Sequence, residues 1–326
     1  MHVIRDSSDC PAELKGASLA IGNFDGVHRG HQAVLSAAKR AAQDAGTVSG
    51  VMTFEPHPRQ FFQPDKPLFR LTPEPLKLEL FAALGLDLAV VLGFDTELSS
   101  LPAEAFVRRI LVEDLGVSHV VTGNDFHFGK GRDGNPDVLS ELGRKFGFGV
   151  TIVEPVGSGG DVFSSTRARE CLRQGDPEGA ARILGYWWRV KGTVTGGDRR
   201  GHGLGFPTAN IPVPEGFALR HGIYAVRAGT GGRRYGGAAY LGTRPSFDDG
   251  KPVIETFLFD FSGDLYGQDM TLEFISFLRG DQKFESGQAL VEQMSRDCED
   301  ARAVLAGLEK SDPFATGPLG ALQDGC

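Results

Sequence analysis

At 326 residues, with 40% hydrophobic and 23% charged positions, the chain has the composition of a globular protein and enough length for two cores. Its formal net charge of -8 argues against general nucleic-acid binding, which favours a basic face. Apolar runs such as 88–92 are too short to span a bilayer, the amino terminus lacks a signal-peptide core, and the four scattered cysteines form no CxxC pair. A cytoplasmic protein is expected, with neither nucleic acid nor membrane as a partner.

From Ala17 to about Val153 short apolar runs alternate with helical periodicity. Strands are expected at 18–21, 48–54, 88–92, 117–122 and 150–153, with helices over 30–45, 73–84, 102–115 and 136–146 between them. Strands covered on both faces form unbroken Val/Ile/Leu runs, so the pattern predicts an α/β domain with a doubly wound, Rossmann-like parallel sheet. Ligands of such sheets lie beyond the carboxyl ends of the strands. The loops found there are Gly22 to His28, Glu55-Pro56-His57-Pro58-Arg59 and Gly123 to Lys130, followed by Ser164-Ser165-Thr166-Arg167, which opens a further helix.

Near Leu184 the grammar changes. Apolar residues alternate in 189–195, 222–228, 235–240, 254–261 and 270–277, with Gly-rich turns between, which predicts an antiparallel barrel or sandwich. One helix over 286–308 follows. The expected division is therefore 1–183 and 184–310, with 311–326 as a loosely ordered tail.

The stretch Gly-Asn-Phe-Asp-Gly-Val-His-Arg-Gly-His, residues 22–31, joins a strand to a helix through glycines. Free backbone N–H groups and the helix dipole at such a junction attract an anion. His28 and His31 lie one turn apart on that side, and Gly30 leaves room for close approach of a nucleotide. Imidazoles beside a triphosphate can donate hydrogen bonds to oxygens that gain charge during attack at the α-phosphorus. Two histidines without a third donor or HExxH spacing make a metal site a weak alternative. Ser164, Ser165, Thr166 and Arg167 offer a second anion clamp.

In the second domain the segment from Gly192 to Asn210 is rich in glycine and basic residues. Residue types alone favour a turn-rich loop there and, second to that, a phosphate site. Thr208 and Asn210, two apart on an extended stretch, present oxygens to one side and suit Mg²⁺ completed by ATP phosphates.

Residues 22–32 resemble the HxGH signature of the adenylyltransferase superfamily, in the form found in the FAD synthetase module of bacterial bifunctional riboflavin kinase/FAD synthetases. Glu55 to Arg59, Asp125 to Gly129 and Ser164 to Arg169 are similar to that family's further motifs, in order. Gly205 to Asn210 resembles the PTAN motif of the riboflavin kinase fold. The resemblance implies a six-stranded antiparallel barrel with a carboxyl-terminal helix in the second domain. It further implies phosphorylation of riboflavin to FMN and adenylylation of FMN to FAD, with ATP as co-substrate, Mg²⁺, and pyrophosphate released.

By this resemblance His28 and His31 stabilise phosphates, and Gly22, Asn23, Phe24, Asp25 and Gly26 shape the nucleotide loop. Thr166 and Arg167 close on pyrophosphate, Ser165 and Asp125 are further substrate-binding candidates, and Phe126 and Phe128 with the Pro56-His57-Pro58 turn are candidates for flavin contact. In the kinase, Glu255 acts as general base, Thr208 and Asn210 hold the metal, and Gly192, Gly205, Pro207, Arg279 and Phe284 are candidate substrate contacts. His202 stands where the family usually has a basic residue, which makes that loop less cationic. A monomer or weak homo-oligomer is expected. Rival functions are adenylyl transfer to another substrate, a class I aminoacyl-tRNA synthetase, disfavoured by the lack of a Lys-Met-Ser-Lys-Ser-like segment, and a flavin-binding regulator with one inactive domain.

Overall fold

The computed structural model describes residues 1–195, 208–243 and 252–320, and the chain divides into two compact units, Met1–Ser165 and Thr166–Cys326. In the first, β1 (His2–Ile4), β2 (Ser18–Ile21), β3 (Ser49–Glu55), β4 (Leu88–Gly93), β5 (His119–Gly123) and β6 (Gly149–Val153) form one parallel sheet in the order β1-β4-β3-β2-β5-β6. Alternate strand residues, among them Leu19, Ile21, Met52, Val90 and Val120, share a core with Phe106, Ile110 and Leu111. Helix α1 (Arg29–Ala45) packs on β2, β3 and β5, burying Val34, Leu35, Ala38 and Ala42 as a stripe of helical spacing.

The remaining helices of this unit are α2 (Pro58–Phe62), α3 (Glu74–Ala83), α4 (Thr96–Ser100), α5 (Ala103–Phe106) and α6 (Pro136–Phe146). α5 continues into wider π-helical turns over Val107–Asp114, and after β6 a short antiparallel hairpin pairs β7 (Gly157–Ser158) with β8 (Asp161–Val162). From β2 the chain steps to β3 and β4 on one side, then to β5 and β6 on the other. The crevice of a doubly wound sheet lies where those directions diverge, at the carboxyl ends of β2 and β5.

The second unit begins at Thr166, within α7 (Ser165–Gln174), and continues with α8 (Pro177–Leu184). Its boundary falls earlier than the change of sequence pattern near 184, because Ala181 of α8 shares a core with Trp187, Ala225 and Ile275. Strands β9 (Arg189–Thr193), β10 (Thr208–Pro212), β11 (Gly222–Thr230), β12 (Arg233–Thr243), β13 (Pro252–Leu258) and β14 (Asp269–Arg279) pair antiparallel in the order β10-β13-β12-β11-β14-β9.

A bridge between Thr195 and Asn210 brings the two edges together, so the sheet is a nearly closed six-stranded barrel. Gly192 permits that approach: a Cβ there would lie 2.6 Å from Cγ2 of Ile211. Gly231 and Gly232, at φ +55° and +72°, make the tight left-handed turn between β11 and β12.

Helix α9 (Gly287–Lys310) starts at Ser286, whose side chain accepts from the Ala289 N–H, and buries Asp297, Ala301 and Leu305 at four-residue spacing. The loosely ordered tail expected from 311 onward is corrected through Leu319. Asp312 accepts hydrogen bonds from the Trp187 indole at 3.0 Å, from Arg227 at 2.9 Å and from the Phe314 N–H at 2.9 Å. Arg189 donates to the Leu319 carbonyl, and the side chains of Phe314 and Leu319 are buried. Apolar anchors and one carboxylate hold this segment despite its Gly/Pro content.

Candidate functional site

The loop after β2 has an unusual backbone. Phe24 and Val27 carry left-handed φ values of +51° and +38°, and Gly26 lies between them at +88°. Non-glycine residues in that region cost about 1–3 kcal/mol each and persist only where surrounding structure holds them. The holding groups are identifiable. The Asp25 carboxylate, almost fully buried, accepts from the N–H groups of Leu71 and Thr72, and the Thr72 hydroxyl accepts from the Gly26 N–H at 2.7 Å. Ser165 Oγ donates to the Asp25 carbonyl at 2.7 Å.

His28 ends the loop as the N-cap of α1, and its Nδ1 accepts the backbone N–H of His31 at 3.2 Å. An accepting Nδ1 places the ring proton on Nε2, so the ring is a donor at its far edge. The two imidazoles stack, with centroids 3.6 Å apart at an interplanar angle of 21°, and the Phe24 ring meets His31 edge-on at 5.2 Å. Gly30 serves His28 directly, since a Cβ there would stand 3.0 Å from its Cε1. Two aligned rings over the first turn of a helix form a donor array suited to phosphate oxygens.

Behind this loop lies a buried ionic cluster with no signature in the local residue pattern. Lys77 of α3 and Arg70 both bind the Glu55 carboxylate, at 2.8 Å and 2.7 Å, and Arg70 Nε lies 3.8 Å from Asp25. Burial alone would raise the Glu55 carboxyl, but the Arg70 hydrogen bond and the Lys77 charge outweigh it and hold it low. Burial pulls the Lys77 ammonium down despite that carboxylate.

The other first-unit candidates separate by exposure. Asn23 and Asp125 are exposed, and Gly22 lies against the Phe24 ring. Pro56 follows a cis peptide bond, and His57 caps α2 by accepting the Arg59 N–H at 3.1 Å. Phe128 is a core residue packed against Phe106, while Phe126, stacked on it at 5.4 Å, stays half-exposed. Thr166 and Arg167 occupy the first turn of α7 and are exposed. Phe62, which sequence inspection passed over, is 63% exposed at the end of α2 and packs edge-on with Phe61 and Phe94. Its signal was an adjacent Phe pair beside prolines.

In the barrel, register decides the second site. Ala209, Ile211, Ile254 and Thr256 are buried on one face. The alternate residues Thr208 and Asn210 of β10 therefore share the other face with Glu255 and Phe257 of β13, Asn210 standing directly opposite Glu255 and Thr208 opposite Phe257. Tyr240 of β12 flanks Glu255 on its other side.

Arg279 grips Asp297 of α9 through two 2.7 Å hydrogen bonds, and its guanidinium lies 5.8 Å from the half-exposed Phe284 ring. It thereby ties the barrel to α9. Gly205, Pro207 and His202 lie outside the described residues. Among the described residues no group of three or more His, Cys, Asp or Glu side chains is placed to hold a metal. The hard oxygens of Thr208 and Asn210 beside a carboxylate fit Mg²⁺, provided phosphate oxygens and water complete the shell.

Two family models match the chain, FAD synthetase over residues 10–167 and riboflavin kinase over residues 184–305. A bifunctional riboflavin kinase/FMN adenylyltransferase of Pseudomonas fluorescens is 40% identical over 94% of this chain and 98% of its own. A protein of the same name from Listeria monocytogenes is 40% identical over 89% of this chain and 93% of its own. A solved structure described as a macrolide-efflux protein from Streptococcus pneumoniae is similar over 92% of this chain and 98% of that one, with 27% identity and a TM-score of 0.81. No helix among the described residues is long and apolar enough to cross a membrane.

Proposed function

This chain belongs to the family of bifunctional riboflavin kinase/FMN adenylyltransferases, and we propose that its two reactions are carried by His28 and His31 in the first unit and by Glu255 in the second. The enzyme phosphorylates riboflavin to FMN and adenylylates FMN to FAD, with ATP as the second substrate. The observation that carries the residue assignment is the presence of a donor array suited to phosphate in one unit and a carboxylate beside hard oxygen donors in the other.

For adenylyl transfer, an FMN phosphate oxygen attacks the α-phosphorus of ATP and pyrophosphate departs. The His28 Nε2–H and the His31 ring hold the phosphate oxygens as negative charge shifts toward the leaving group. Phe62, together with Phe126, Pro56 and His57, supplies the flavin-facing surface, because an exposed phenylalanine braced by two others is a rigid apolar platform.

In the kinase, Glu255 takes the proton of the terminal ribityl hydroxyl as its oxygen attacks the γ-phosphorus. Asn210 and Thr208 would hold Mg²⁺, which when bound neutralises phosphate charge. Arg279 sets the rim beside Phe284. Free Cys10, Cys171 and Cys298 support a reducing, cytoplasmic setting, and the acidic balance supports small molecules as partners.

Incubation of the full chain with riboflavin, ATP and Mg²⁺, with the flavins separated by chromatography, tests the assignment. Glu255→Gln should stop FMN formation while supplied FMN is still converted to FAD. His31→Ala should do the reverse. Either variant abolishing both steps equally would defeat the division.

A further inference from the structure

We infer that Lys77 is a positioning residue for adenylyl transfer, fixing the loop that carries His28 through the carbonyl of Asn23. The inference rests on the assignment of that reaction to the first unit. Lys77 projects from α3, its side chain is 1% exposed, and Nζ donates to Glu55 Oε1 at 2.8 Å and to Thr53 Oγ1 at 3.0 Å. It also lies 3.4 Å from the Asn23 carbonyl oxygen. A lysine in such a place is unusual, because a buried ammonium must satisfy its donors or lose its charge.

The Thr53 hydroxyl makes the arrangement directional. An ammonium can only donate, so the Thr53 oxygen receives the Lys77 hydrogen and its own proton goes to the Asn23 carbonyl, 3.1 Å away. Asn23 is the second residue after β2 and immediately precedes the left-handed Phe24, so its carbonyl is the point where the strand gives way to the strained loop. Thr72 and Ser165 hold the same loop further on, at Gly26 and Asp25. Lys77 holds it at its origin.

The charges around Lys77 balance. Glu55 and Asp25 face Lys77 and Arg70, and Arg70 also donates to Gln60 at 3.0 Å. Removing the lysine therefore has two separable effects: it leaves Glu55 with one cation in place of two, and it releases the Thr53 proton and the Asn23 carbonyl. A shift of about 1 Å in a reacting group is enough for a loss of about a hundredfold in rate.

The test compares Lys77→Met, the charge-compensated pair Lys77→Met with Glu55→Gln, and Leu80→Ala, which opens a cavity on the same helix without touching the cluster. For each, kcat and KM for FMN-to-FAD conversion are measured on the full chain, with riboflavin phosphorylation as an internal measure of intact protein. The unmodified chain must form FAD, otherwise the underlying assignment fails rather than the inference. Expected is a fall of about a hundredfold in adenylyltransferase kcat for Lys77→Met, with KM for ATP moving much less and the kinase unchanged.

The compensated pair should regain thermal stability and remain slow. Recovery of kcat together with stability would show that charge balance alone matters, and would overturn the inference. So would an unchanged kcat in Lys77→Met, or an equal loss in Leu80→Ala. Should Lys77→Met alone fail to fold, the compensated pair decides the question by the same criterion.

Discussion

Replacing Asp312 by alanine removes one acceptor from three donors at once: the Trp187 indole, Arg227 and the Phe314 N–H. A buried donor left without its partner costs about 1–3 kcal/mol. Trp187 is buried, whereas Arg227 keeps its 2.6 Å contact with Glu273, so most of the loss comes from the indole and the released chain. A total of about 3 kcal/mol corresponds to a Tm lower by about 6–12 °C for a unit of this size. The assay is unusually selective, because the chain's two tryptophans, Trp187 and Trp188, both lie in the second unit, so intrinsic fluorescence melting follows that unit alone. Asp312→Asn, which keeps acceptors for the indole and the amide, should lose roughly half as much. Wild-type melting for Asp312→Ala, or for a chain ending at Lys310, would refute the docked tail.

Gly192→Ala places a Cβ 2.6 Å from Ile211, and should lower the fluorescence Tm by about 2–8 °C, an overpacking cost of about 1–2 kcal/mol. Gly30→Ala presses on the His28 ring and should slow FAD formation about tenfold or more while leaving riboflavin phosphorylation intact. Phe62→Ala, at an exposed position, should raise KM for FMN without changing the circular-dichroism melt, and an unchanged KM would remove Phe62 from the flavin surface. Because the Glu55 carboxyl is held below its ordinary value of 4.5, its stabilisation is complete above that pH and is lost as pH falls through the folded value. Glu55→Gln should therefore flatten the acid arm of first-unit unfolding, and identical acid midpoints would count against the cluster.

The parallel sheet was legible because β2, β3 and β4 are buried along nearly every residue and so form unbroken apolar runs. β1 escaped notice, having three residues of which two are exposed. The loop over residues 22–31 was legible as residue types at fixed spacing; its support was not. Lys77, Arg70 and Thr72 come from a helix and a connecting segment, where charges are usually solvated, and only the fold brings them under Asn23 and Asp25. The same-side placement of Thr208 and Asn210 follows from strand parity. Their pairing with Glu255 depends on β10 and β13 becoming neighbours, a non-local choice that no window of sequence contains. Phe314 and Leu319 stood too far apart among glycines and prolines to make a pattern, and only tertiary packing buries them, Phe314 joining the core with Trp187 and Leu305.

The hydrogen bond from the His31 amide to the His28 ring makes one nitrogen serve two masters. Adding a proton there would give the ring a full positive charge, yet the same proton would evict the amide that starts helix α1. A lone pair lent to that amide is withheld from any proton, so the start of the helix and a second proton on the ring compete for a single atom.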